Sequence, residues 1–153
     1  MGDTNSLSPW LFFPLFVGGW FTVSGFLSTL GGWRRLSESF PVPDGFHLDD
    51  SDRFRFRSIQ VGGVNYGSCV TVGITSHGLY LCVLFPFRFM HPPLLIPWRA
   101  IAKMEERRFL WTRWVRMETT EGPTVQLPWG LGDVAREQWL RLRAGTAGSL
   151  TSA

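Results

Sequence analysis

Three histidines, two cysteines and one acidic run are the residues whose types could do chemistry, and their spacing points away from most of it. His47, His77 and His91 are scattered, and none stands at a metal-ligand interval from a cysteine or another histidine. His47 precedes Asp49, Asp50 and Asp52, but this run lacks the spacing and the glycine of a calcium loop and reads as a solvated linker. Cys69 and Cys82 lie in apolar, strand-like stretches with no Cys-x-x-Cys pair, which makes them reduced core residues of a cytoplasmic domain. No serine sits in a nucleophile elbow and no glycine-rich loop is built to cradle phosphate. The expectation is a non-enzymatic protein with no catalytic residues, no metal and no cofactor.

Charge and aromatic rings are the more informative pattern. Fourteen arginines stand against a single lysine, Lys103. From Arg53 to Arg116 nine arginines and Lys103 face Glu105 and Glu106 alone, ten basic residues against two acidic, a surplus of +8. Arg53, Arg55 and Arg57 alternate with Phe54 and Phe56, and Arg107 and Arg108 extend the basic face. Beside an anionic leaflet each such residue contributes about 1 kcal/mol. Two aromatic–basic loops accompany it. Phe85 to Pro93 carries Phe87, Arg88, Phe89 and Met90 among prolines that prevent regular strand, and Leu110 to Trp114 carries Trp111 and Arg113. Exposed aromatics of this kind mark a partner or membrane interface. Arginine interleaved with aromatics also suits stacked bases, but a membrane tether argues against nucleic acid.

The tether is expected from the N-terminus. Thr4 to Trp33 contain no charged side chain, and a bilayer core about 30 Å thick needs roughly 20 apolar residues. The run is too long for a secretory signal, has no basic n-region and no small-x-small cleavage site. A buried core helix would be apolar all round, which is rare in a small protein. Met1-Gly2-x-x-x-Ser6 fits a myristoylation pattern that a span would make redundant. The expectation is therefore a transmembrane helix over 9–32 with Trp10 and Trp33 at its interfaces. All fifteen basic residues follow it, which places the N-terminus outside and the C-terminal domain in the cytoplasm, as a single-pass inner-membrane protein. Gly18, Thr22, Gly25 and Thr29 fall on one helical face, where small residues admit a second helix closely. Phe16, Trp20, Val23 and Leu27 suit lipid on the other.

Beyond the span, Pro41, Pro43 and Gly45 break any helix, so 33–50 reads as a linker. Period-two alternation places Phe54 and Phe56 inward. Strands are expected around Val70–Ile74, Leu79–Phe85, Leu94–Trp98 (an edge or bulged strand because of Pro97), Ile101–Phe109, Trp114–Thr120 and Thr124–Leu127. Gly78 is expected at positive φ in the turn Ser76-His77-Gly78. Asp133 to Arg143 reads as a helix capped by Asp133, with Val134, Trp139 and Leu142 on the core. Residues 144–153 are small and polar and read as a flexible tail, after a short non-cytoplasmic N-terminus over 1–8.

Seven antiparallel strands closed by one helix over 51–143 make a small barrel or sandwich. The strand order, Gly78-Leu79-Tyr80-Leu81, the Ile96-Pro97-Trp98-x-x-Ile101 segment and the terminal helix resemble the pleckstrin-homology-like fold in its GRAM-type variant. The arrangement over roughly 9–143 resembles small uncharacterised bacterial single-span membrane proteins that carry such a domain. That resemblance implies a barrel plugged by the helix, a role for Trp139. The loop Gln60 to Tyr66, where this family often holds lipid headgroups, has no Lys or Arg here. The functional expectation is an accessory or scaffolding subunit that packs its span and its domain against a larger integral-membrane complex, for example an energy-transducing one. Its partners would be the lipid bilayer and other integral-membrane subunits. The alternative is a lone module that binds anionic lipid headgroups.

Overall fold

The computed structural model describes residues 9–85 and 87–150. Three helices and seven strands follow in the order α1 (Pro9–Leu30), α2 (Trp33–Ser39), β1 (Arg53–Val61), β2 (Val64–Ile74), β3 (Gly78–Val83), β4 (Leu94–Pro97), β5 (Ile101–Phe109), β6 (Thr112–Thr119), β7 (Val125–Pro128) and α3 (Trp129–Leu150). The strands form one antiparallel sheet in the order β4-β3-β2-β1-β7-β6-β5. It curls into a half-barrel, not the closed barrel expected, because β4 and β5 remain its two edges and do not pair. Pro97 ends the β4 edge, where its missing N–H costs no ladder bond.

Turn chemistry fixes the register. Gly62 and Gly63, at φ 55° and 92°, make the two-residue turn that pairs Val61 with Val64. Leu110 does the same with φ 52° between β5 and β6, pairing Phe109 with Thr112. Gly78 is not at positive φ, contrary to expectation. It is glycine because β4 passes so close that a Cβ there would overlap the Ile96 carbonyl oxygen. The turn is held by Thr75 instead, whose Oγ1 accepts from the N–H groups of His77 and Gly78 at 3.2 and 3.1 Å.

Alternate residues line the concave face. Ile59, Val61, Val70, Val72, Leu79, Leu81, Val115, Met117, Val125 and Leu127 are all buried. Helix α3 covers part of this face through Leu131, Ala135 and Trp139, spaced four apart on one stripe. Arg143 lies 4.4 Å over the Trp139 ring. The helix starts at Trp129, four residues before the expected cap at Asp133, so Val134 and Leu142 are exposed where they were expected on the core. Gly132 admits Val115 where a side chain would collide.

The first part of the expected linker is instead a core element. Trp33 and Leu36 of α2 are fully buried. The Trp33 indole N–H donates to the Pro92 carbonyl at 2.9 Å, and its ring packs on Tyr66 and His91 at 5.1 and 5.6 Å. Phe40 continues the connection, its carbonyl accepting from Leu95 N–H at 3.0 Å beside a bridge from Pro41 to Leu94.

The expected membrane span is overturned. Among the described residues no helix is long and apolar enough to cross a membrane, and the single-pass inner-membrane placement, with the N-terminus outside and the domain in the cytoplasm, falls with it. Two features account for this. The apolar run is interrupted by Pro14, the pair Gly18-Gly19 and the hydroxyls of Thr22, Ser24, Ser28 and Thr29. Trp20, at mid-helix, packs on Phe87 of the domain with ring centroids 5.0 Å apart. Trp33, expected at the interface, lies in the core.

Candidate functional site

The curl of the sheet leaves a groove on its convex face across β1, β2 and β3. Outward positions on these strands place Cys69, Thr71, Tyr80 and Cys82 on its floor. Gly73 lets Leu48 lie against β2, which builds one wall, and Phe46 stacks on Tyr80 at 5.6 Å and 24°. The other wall comes from irregularity. The β1–β2 register shifts between Phe54 and Arg57 and again before Ile59, with Phe56 at φ 55° and Ser68 at φ 51°. Ser58 Oγ accepts from the Ser68 N–H at 2.9 Å across the break. Phe56, which alternation counted from Phe54 places in the core, is 62% exposed, because the break puts it out of phase with Phe54. An aromatic residue in the left-handed region is strained and belongs to the class of outlier found at ligand clamps.

The groove encloses about 390 Å³ and its cationic side chains are Arg53, Arg55 and Arg88. Arg53 donates to the Leu48 carbonyl at 3.0 Å and pairs with Asp50 at 3.1 Å, while Arg55 lies 3.9 Å from the same carboxylate. Arg88 has no carboxylate within 4 Å among the described residues. The Tyr80 hydroxyl is pushed up to about 12, first by burial and then by Cys82, against the opposing pull of Arg88 and Arg53. Burial also raises the Cys69 thiol. Both cysteines are free. Phe85, 83% exposed, and Leu84 stand at the rim.

The residues expected at an interface therefore divide. Arg88 joins the groove, whereas Phe87, half-buried, meets α1 through Trp20 and Met90 is partly exposed. The Phe89 side chain lies outside the described residues. Arg57 turns back over the Phe54 ring at 5.9 Å. Trp111, 89% exposed, caps the β5–β6 turn, but Arg113 lies 4.8 Å over Trp129 and 3.8 Å from Glu106. Arg107 pairs with Glu105 at 2.9 Å, and Arg108 is exposed. The basic face is thus two patches, since β5 lies three places from β1 in the sheet. On α1, nothing approaches within 4 Å of a Cβ built at Gly18, and Thr22 Oγ1 donates back to the Gly18 carbonyl at 2.8 Å. The side chains of Gly25 and Thr29 positions lie outside the described residues. Among those residues no group of three His, Cys, Asp or Glu side chains could hold a metal ion.

Behind the groove, Trp33, Tyr66 and His91 form a buried aromatic cluster that the sequence did not announce. The Tyr66 and His91 rings meet edge to face at 5.4 Å. His91 Nδ1–H donates to the Phe87 carbonyl at 3.1 Å, which leaves Nε2 buried without a partner. Burial holds its pKa below the ordinary histidine value. Burial, then Cys69, pushes Tyr66 up to about 12. The fold therefore favours neutral His91. Its contribution is full above the unfolded value near 6.5 and is lost as pH falls below that towards the lowered folded value. His91→Asn, which keeps a donor to the Phe87 carbonyl, is expected to flatten this loss. Urea midpoints at pH 7.5 and pH 5 for the two proteins measure it, and equal pH dependence in both refutes it.

The fold and surface define a curled seven-stranded antiparallel half-barrel with a helix packed on its face and an exposed apolar helix at its side. No family model matches the sequence, and no curated protein or solved structure matches it either. Nothing in those comparisons identifies a pleckstrin-homology-like or GRAM domain.

Proposed function

We propose that the protein is a non-enzymatic docking module that inserts α1 into an apolar cleft of a partner protein. The observation that carries this is the aromatic ladder on α1. Phe12 stacks on Phe16 and Trp20 meets Phe16 at a tilt, both at 6.1 Å, and Phe87 of the domain continues the series at 5.0 Å. Phe12 and Phe16 remain 63% and 55% exposed, with Trp10, Phe13 and Leu15 still more so. Apolar surface of this extent costs roughly 25 cal/mol per Å² while it stays in water, and it marks an interaction site.

A protein partner suits α1 better than a lipid surface. Helices that lie on a membrane have a charged face turned to water. Helix α1 has no charged residue on any face, so it lacks that water-facing side. Between Phe16, Val17, Trp20 and Phe21 lies a depression of about 340 Å³ that can take a partner's side chain. The lone lipid-binding module is the second reading, favoured by Arg53, Arg55 and Arg88 beside exposed Phe85.

The test is native mass determination of the tagged full chain from its own cells, beside Phe12→Glu/Phe16→Glu. The wild type is expected as a stoichiometric complex well above 17.4 kDa, and the double variant as a folded monomer. A wild-type monomer, or a variant that keeps its partner, removes the reading. Salt-sensitive flotation of that wild-type monomer with anionic vesicles would move the assignment to lipid.

A further inference from the structure

We propose that the groove on the convex face of β1–β3 is a binding site for a small amphiphilic anion, a carboxylate or phosphate head on a short apolar body. The site is separate from the α1 surface and does not depend on it. Its volume of about 390 Å³ is within the ~300–1,000 Å³ usual for small-ligand sites. Guanidinium groups suit such a head because their fork of N–H donors matches the oxygens of carboxylate and phosphate.

The three arginines are not equivalent. Arg53 is already tied to Leu48 and Asp50 and forms a fixed part of the wall. Arg55 is held only by a 3.9 Å approach to Asp50, whose own side chain is 86% exposed. Arg88 has no carboxylate near it. Two guanidiniums are therefore available for a ligand head, with no carboxylate but Asp50 within 4 Å of them among the described residues. The phenol of Tyr80 also lines the floor and offers a neutral O–H donor.

The apolar half of the ligand has its own receptors. Phe56 and Phe85 stand exposed at the rim with Leu84 beside them. Phe56 lies inside the register break between Phe54 and Arg57, at φ 55°, on the face opposite buried Ile59 and Val61. The strain is spent on turning an aromatic ring out beside a cationic groove, which points independently to a ligand with an apolar part. A bare anion would use the arginines and leave Phe56 and Phe85 in water. A neutral amphiphile would leave the guanidiniums unused.

Cys69 and Cys82 line the floor as free thiols and serve as built-in reporters. The full chain is titrated calorimetrically with decanoate, decyl phosphate, decanol and inorganic phosphate, and maleimide labelling of each cysteine is followed by peptide mass. Decanoate or decyl phosphate is expected to bind saturably and slow labelling of both thiols. Decanol and inorganic phosphate are expected to do neither. Arg55→Gln/Arg88→Gln, at two exposed positions, is expected to bind about tenfold more weakly or worse with an unchanged circular dichroism spectrum. Phe85→Ala should weaken the amphiphile as well.

Vesicles of anionic and zwitterionic phospholipid distinguish the source. Flotation that disappears in the double arginine variant makes the ligand a lipid headgroup and its chain, whereas decanoate binding without flotation makes it a free metabolite. The proposal is overturned if decanol binds as well as decanoate, if inorganic phosphate alone protects the thiols equally, or if the arginine variant binds like the wild type. Uptake of decanoate with no protection of Cys69 or Cys82 also overturns it, since the amphiphile would then be on α1.

Discussion

Trp33→Ala is expected to cost about 3–5 kcal/mol, the range for emptying a large aromatic site in a packed core. The side chain is fully buried and its indole N–H is bonded to the Pro92 carbonyl. Its removal strips one face from both Tyr66 and His91 and leaves that carbonyl without its donor. Urea unfolding followed by circular dichroism measures the loss, with Trp111→Ala as the control. Trp111 is 89% exposed, and its replacement should stay within about 0.5 kcal/mol of wild type. A Trp33 variant with the wild-type midpoint would mean that α2 is no part of the cooperative core.

Gly78→Ala is expected to cost about 3 kcal/mol, at the upper end for an overpacked site. The added methyl would drive into the Ile96 carbonyl and force β4 away from β3 along the pairs Gly78–Pro97 and Leu79–Ile96. The informative comparison is Gly63→Ala. Gly63 sits at φ 92° with open space around its α-carbon, so only backbone strain of about 1–2 kcal/mol is at stake. The same denaturation experiment ranks the two. If Gly63→Ala proves the more damaging, the close approach of β4 does not set the requirement at Gly78.

These two sites also show where the sequence was readable. A glycine before an apolar run signalled the turn at Gly78, yet its reason for being glycine depends on a strand sixteen or more residues away, which no local pattern contains. Alternation located β1 through Phe54 and Arg53, and then misplaced Phe56, because period-two reasoning assumes an unbroken ladder and two bulges intervene. The β5–β6 hairpin was legible in outline: the strand over Ile101–Phe109 was expected as found, while β6 begins at Thr112, two residues before the expected Trp114, across a two-residue turn.

Helix α2 was not legible. Seven residues beginning Trp-Arg-Arg, next to prolines, carry too short a period to be told from a linker, and the burial of Trp33 and Leu36 comes from tertiary packing alone. The uncharged N-terminal run was expected as a membrane span; a helix forms there, but among the described residues none is long and apolar enough to cross a membrane, and what it meets, Phe87 through Trp20, no local pattern contains. The groove was half visible. Arg53, Arg55 and Arg88 were in hand as basic residues, while Tyr80, Phe56 and Phe85 joined them only through strand register.

The junction between α1 and α2 has a mechanical consequence. Between Leu30, the last residue of α1, and fully buried Trp33 there are two glycines, Gly31 and Gly32, and Gly31 is itself buried. From Leu30 to Trp33 the chain makes three steps, at most about 11 Å, so the connection is short. A pull or twist applied at the N-terminal rod would reach the sheet within that travel and act as a lever arm on its load-bearing centre. Whatever grips the rod would set the heading of the whole half-barrel, as a rigid mount does and a loose tether does not.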